Sequence, residues 1–426
     1  MNLRSTRFAL VLVALASGAT QGVTAQQLAR PAPASTAGPR LVVFLTVDQL
    51  LPAYFERYGR QLTGGLARLY RNGAVFTNGY QDHAITETAP GHASTLSGRF
   101  PRSTGIVTNA TGVGDPQSSL IGGVRGAGAS PYRFRGTTLI DWMRFKDPRS
   151  RALSVSRKDR GAILPLGRAK QHVYWFAGER FTTSTYYADT LPTWVQRFNA
   201  RRTPQRSAGR AWTLLLSEAS YPEPDNVPFE DTPVCYQPNA PRGEDVAFPH
   251  GTPTDTSVAA RVFPNYPWMD EATLAFALDG VQALDLGRGP QPDLLAISLS
   301  TMDAVGHRYG PDSREVHDMF LRLDRYLGTF IDSLYRLRDS STIAIALTAD
   351  HGAAPYPEVY AQRQPLRVQR ANIGPAVFPI LSSVWAAGID TAAFRLEQDI
   401  EVAMLWVDRD AFRRRGMDAD SAIRAV

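Results

Sequence analysis

Three short apolar runs, each followed closely by an aspartate, restrict what this chain can fold into more than any other feature. Leu41-Val42-Val43-Phe44-Leu45-Thr46-Val47 runs into Asp48, Leu294-Leu295-Ala296-Ile297-Ser298-Leu299 precedes Asp303, and Ile343-Ala344-Ile345-Ala346-Leu347 precedes Asp350. Unbroken runs of this length and composition fit strands buried on both faces of a parallel sheet. Ligands of open α/β sheets bind beyond the carboxyl ends of the strands, where these three carboxylates would meet. The predicted fold class is therefore α/β, a mostly parallel central sheet flanked by helices.

Met319, Phe320, Leu323, Leu327, Phe330, Ile331 and Leu334 recur at helical spacing and predict a crossover helix over 314–337. A second helix is expected over about 270–284. A third, over about 63–71, stops at Asn72-Gly73 and leads to a short strand, Ala74 to Phe76. Residues 203–267, rich in Pro, Asn and Asp with weak periodicity, predict an inserted cap or lid, which leaves 40–202 and 268–426 as the core. At 426 residues the chain is long enough for one core and such an insertion.

Arg4 and Arg7, the apolar run Phe8 to Ala16 and the small residues up to Ala25 have the layout of a secretory signal over 1–25, followed by a flexible leader over 26–39. The apolar run is too short for a permanent membrane anchor. A periplasmic or secreted monomer is expected. Cys235 is the sole cysteine, so no intramolecular disulfide can form, and it reads as a buried or incidental thiol. The formal net charge of +6, of which Arg4 and Arg7 supply two, fits anionic substrates and scattered surface arginines equally. No Lys/Arg stripe with interleaved aromatics points to nucleic acid.

Asp303 and His307, four residues apart, can face one ion from a single helical turn, whereas the adjacent pair Asp350-His351 splays toward two places. With Asp48, this mixture of oxygen and nitrogen donors suits zinc. Two ions about 4 Å apart would clamp the attacking and leaving oxygens of a phosphoryl transfer. An isolated Asp-His dipeptide is usually a surface pair; the joint position at strand ends is what argues for metal. Thr86 to Thr95 predicts a loop entering a helix, with Pro90 near its first position and Thr88 at the positive end of the dipole. A metal-activated nucleophile and a plain helix cap are equally compatible with Thr88 on spacing alone. Lys158-Asp159-Arg160, taken alone, reads as a solvated basic turn.

Val47-Asp48-Gln49, Thr88-Ala-Pro-Gly-His92, Lys158-Asp159-Arg160, Asp303-x-x-x-His307 and Ala349-Asp350-His351-Gly352, in that order, resemble the alkaline phosphatase superfamily. Within it the chain is similar to the type I phosphodiesterase/nucleotide pyrophosphatase group, and there to the phosphate-irrepressible alkaline phosphatases, from about residue 40 to its end. The resemblance implies two zinc ions: Asp48, Asp350 and His351 would hold one, which also binds Thr88 Oγ1, and Asp303 and His307 the other. It also implies attack by Thr88 to give a phosphothreonine, which a hydroxide on the second zinc hydrolyses. Asn109, Lys158 and Arg160 match the family's substrate-binding helpers. A monoester presents three charged non-bridging oxygens against two in a diester, so this added basic pair favours monoesters, Arg160 by bidentate contact and Lys158 as a point charge. The implied function is hydrolysis of small-molecule phosphate monoesters with release of inorganic phosphate. A phosphodiesterase or nucleotide pyrophosphatase, or an inactive fragment, are the alternatives. The family completes the second zinc site with a histidine well toward its C-terminus, and none follows His351. The chain is accordingly read as C-terminally truncated, with that site incomplete. His317 lies within the crossover helix and reads as a surface or packing residue.

Overall fold

A computed structural model describes residues 38–227, 246–363, 373–399 and 402–426; the expected signal segment, most of the leader and Cys235 lie outside the described residues. Six strands form the central sheet: β1 (Leu41–Val47), β2 (Ala152–Ser156), β3 (His172–Ala177), β4 (Arg180–Thr182), β5 (Asp293–Leu299) and β6 (Ile343–Ala349), in the order β4-β3-β2-β5-β1-β6. All neighbours are parallel except β4, which returns along β3. β1 lies between β5 and β6 in matched register, Val47 opposite both Leu299 and Ala349. Three strands therefore end at one level, and the residues that leave them start from a common rim.

β5 is buried along its whole length and β1 nearly so. β6 departs from the expected double burial. It is the edge of the described sheet, with Ala344 and Ala346 facing outward while Ile343, Ile345 and Leu347 are half-buried against the main core. An apolar run does not distinguish a central strand from an edge strand whose outer positions are small. The expected strand at 74–76 is also absent: the segment is an irregular loop with Phe76 86 % exposed, because no described strand lies alongside to pair with it.

The helices that matter to the site are α1 (Gly65–Asn72), α2 (Thr88–Thr95), α3 (Asp159–Ile163), α4 (Trp268–Ala283), α5 (Thr301–Tyr309) and α6 (Arg314–Leu337). The crossover helix α6 starts where the Ser313 hydroxyl accepts from Val316 N, and it buries the predicted apolar face from Met319 to Leu334. α1 presses against it through Gly65, where an added Cβ would lie 2.5 Å from Leu327. Within 203–267, Ala211–Trp212 pairs with His250–Gly251, and three donors from this region converge on Asp318 of α6: Trp212 Nε1 at 2.6 Å, Leu215 N at 2.7 Å and the Tyr221 hydroxyl at 2.7 Å. His317 is a packing residue, stacked on Tyr58 with ring centroids 3.6 Å apart and bonded to Glu223 and Gln61. Val377, Leu381, Val384, Ile389, Ala393 and Ala419 build a separate apolar cluster around Phe394 and Phe412. No helix among the described residues is long and apolar enough to cross a membrane.

Candidate active site

Asp48 follows β1 directly, Asp350 follows β6, and Asp303 sits in the first turn of α5 just past β5. Asp48, Asp303 and His351, all buried, each offer a donor atom within 4.8 Å of the others. His351 Nε2 lies 3.2 Å from Asp48 Oδ1 and 3.8 Å from Asp350 Oδ2, and His307 Nε2 lies 3.1 Å from Asp303 Oδ1 across one turn of α5. Lys158, the residue before α3, reaches into the same cluster from the end of β2. Its Nζ is 2.7 Å from Asp48 Oδ2 and 2.6 Å from Asp303 Oδ2, and it donates to Thr88 Oγ1 at 3.1 Å. Thr88 is the first residue of α2, not its cap; Glu87 holds the cap position, and the dipole's positive end faces the cluster.

The charges act on one another strongly. Burial opposes ionisation of Asp48, but Lys158 and His351 outweigh it and hold the carboxyl well below the usual range. Burial likewise opposes protonation of His351, and the Asp350, Asp48 and Asp303 carboxylates overcome it, raising the imidazole well above its ordinary value.

Asn109 turns its amide oxygen to Ala89 N at 2.9 Å, while its own backbone N–H is held by the Glu87 carboxylate at 2.6 Å. Arg160 stands one residue inside α3; among the described residues its ion contact is with Asp159 at 3.7 Å and none is with the carboxylate cluster.

Several participants escaped the sequence reading. Gln49 ties two carboxylates together, its backbone N–H donating to Asp350 Oδ1 and its Nε2 to Asp303 Oδ1, both at 3.2 Å. It does so from a positive φ of 64°, an outlier for a residue other than glycine, with its amide oxygen crowded against Gly306. His92, one turn after Thr88, presents Nδ1 to Asp350 Oδ2 at 3.0 Å and to the Thr88 carbonyl at 2.9 Å, with Nε2 2.8 Å from Ser298 Oγ. Both residues stand inside the quoted motifs, and the i, i+4 relation of Thr88 to His92 was the available signal. Asp270 and Arg157 carried none. Asp270 is buried, accepts from Thr301 N and Oγ1, and burial pushes its carboxyl up to about 7. Arg157 is half-buried beside it and donates to Asn265 Oδ1 at 3.0 Å.

The donor set fits a metal centre. Both Asp48 oxygens and Asp350 Oδ2 are buried and have ion contacts but no well-directed hydrogen bond among the described residues, an arrangement that is costly unless a cation is shared. Three carboxylates and two imidazoles at one rim are hard and borderline donors suited to a divalent ion.

This chain belongs to the type I phosphodiesterase/nucleotide pyrophosphatase family, whose pattern matches residues 42–399. Among its relatives, the alkaline phosphatase PhoV of Synechococcus elongatus is 34 % identical over 350 residues, covering 78 % of this chain and 62 % of the relative. The alkaline phosphatase PafA of Elizabethkingia meningoseptica is 32 % identical over 338 residues, covering 74 % and 60 %. The chain thus spans about three fifths of the length of these curated relatives. A crystal structure of wild-type PafA superposes with a TM-score of 0.77 at 27 % identity, over 91 % of this chain and 76 % of PafA, so the fold is that of this phosphatase.

Proposed function

We propose that the chain hydrolyses phosphate monoesters through a covalent phosphothreonine at Thr88 and releases inorganic phosphate. One observation carries the reading: Thr88 Oγ1, the Lys158 ammonium and the carboxylates of Asp48 and Asp303 converge through contacts of 2.6–3.1 Å. Asp48, Asp350 and His351 would hold one zinc ion and Asp303 and His307 a second. When bound, such ions stabilise charge on phosphoryl oxygens and lower the pKa of a coordinated hydroxyl or water.

The chain's own groups then divide the work. Thr88 Oγ1 forms the new bond to phosphorus while the bond to the departing alcohol breaks, and water later cleaves the phosphothreonine at phosphorus. The α2 N-terminus favours the negative charge gathered there. The Asn109 amide N–H groups, the Lys158 point charge and, after a side-chain rotation away from Asp159, the Arg160 guanidinium would together address three non-bridging oxygens, which a monoester has and a diester lacks. A solved variant of PafA carries substitutions of a threonine, an asparagine, a lysine and an arginine. Those are the residue types of Thr88, Asn109, Lys158 and Arg160, in the same order. Small phosphate esters encountered by an exported monomeric protein are the substrates this reading implies.

The test compares Thr88→Ser and Thr88→Ala on an aryl phosphate, with mass spectrometry of quenched protein. Serine should keep substantial turnover and alanine lose at least about a thousandfold, as for removal of a nucleophile. Phosphate should be trapped on residue 88 alone. Full activity of the alanine variant would refute the nucleophile, and a strong preference for the aryl methyl diester would refute the monoester assignment.

A further inference from the structure

A cavity of about 330 Å³ opens at the end of the sheet opposite the carboxylate rim, where β2 and β3 begin. β2 alone separates its mouth from Lys158 by five residues, roughly 16 Å at about 3.3 Å per residue, so the two sites share no side chain. Arg144, Arg151, Lys170 and His172 line it, and no acidic residue does so among the described residues. Among the described residues, only Arg151 of the three permanent cations faces a carboxylate, Asp293 at 3.5 Å; Arg144 donates to the Ser150 carbonyl and Lys170 lies 5.1 Å over the Tyr186 ring. Thr183 and Tyr187 complete the wall, and their buried hydroxyls have no hydrogen-bond partner among the described residues.

We propose that this cavity is a second anion site, built for a small phosphate-class dianion, free or esterified. Cations in a concave, partly desolvated surface focus their field and reinforce one another. The space lies at the lower end of the range for small-molecule pockets, ample for an organic phosphate. The unpaired hydroxyls can donate to a phosphate oxygen after small side-chain rotations; an apolar ligand could not satisfy them, and the surrounding cations disfavour a cationic one. Burial, and after it the neighbouring Arg151, lower the His172 imidazole below its ordinary value. The inference does not depend on Thr88 chemistry.

Isothermal titration of the full-length, zinc-loaded protein with inorganic phosphate, and separately with non-hydrolysable phenylphosphonate, tests it. The two probes distinguish the free anion from the esterified one. Wild type should show two sites for at least one probe. Lys170→Glu, an exposed position that leaves the fold intact, and Arg144→Gln/Lys170→Gln should weaken one site by at least about tenfold, the expected loss of one charge-assisted hydrogen bond. They should leave kcat/KM for aryl phosphate unchanged, and Thr88→Ala should retain the second site. A single site for both probes, or two sites indifferent to both pocket variants, would overturn the proposal.

Discussion

Replacing Lys158 with methionine keeps most of the apolar stem and removes one charge from between two carboxylates. The Nζ contacts to Asp48 and Asp303 are 2.7 and 2.6 Å, with side-chain exposures of 8 %, 0 % and 4 % for the three groups, so solvent screens them little. Each contact corresponds to about 6 kcal/mol of Coulomb attraction at an effective dielectric of about 20, much of which offsets the cost of desolvating the ions. What the substitution exposes is the uncompensated remainder, about 3–5 kcal/mol for breaking a buried pair. In chelator-treated protein, urea unfolding of Lys158→Met should therefore show a stability lower by about that amount. Added zinc should restore most of it, since divalent charge replaces the lost ammonium among the same oxygens, and zinc should stabilise the variant more than wild type. A loss below about 1 kcal/mol, or a variant that zinc stabilises no more than wild type, would refute the electrostatic account of this cluster.

Two further outcomes follow from other residues. Asp270 has a folded-state carboxyl near 7 against an ordinary 3.8, so the folded chain binds the extra proton and this group lowers stability as pH rises from about 4 to about 7. Asp270→Asn preserves the acceptor for Thr301 and should flatten that decline, leaving the variant more stable than wild type at pH 8 by up to about 4 kcal/mol in denaturant titration; an unchanged slope refutes the assignment. Gln49→Ala removes the side-chain tether of Asp303 and should raise the zinc dissociation constant by roughly 10–100-fold in competition with a chromogenic chelator, a result that unaltered affinity would contradict.

β1, β5 and β6 were legible as continuous apolar runs ending near an aspartate, and α6 because its apolar stripe is long and regular, whereas β2, β3 and β4, mixed in composition or only three residues long, were not read as strands. The edge position of β6 and the loop at 74–76 were not, since both depend on which neighbours lie alongside, a non-local property. Asp48, Asp303, Asp350 and His351 announced themselves by their place after strands. Arg157 and Asp270 had no such marker: Arg157 beside Lys158 and Asp270 beside Glu271 look like members of ordinary solvated charge clusters until folding brings them together. Arg160 was legible as a charge but not as a geometry, because two residues along a helix point in different directions from Lys158.

The matched ladder of β1, β5 and β6 has a consequence for how such a chain can diverge. A single-residue insertion inside β1 would advance Asp48 by about 3.3 Å and turn it to the opposite face of the sheet, dismantling the cluster at one stroke. The connections tolerate such a change only where they carry no site residue, which excludes the stretches around Thr88–His92, Asn109, Lys158–Arg160 and Asp303–His307. Length variation among descendants of this architecture should accumulate in the remaining stretches of the crossovers and in the segment around 203–267, while the count of residues in those three strands stays fixed.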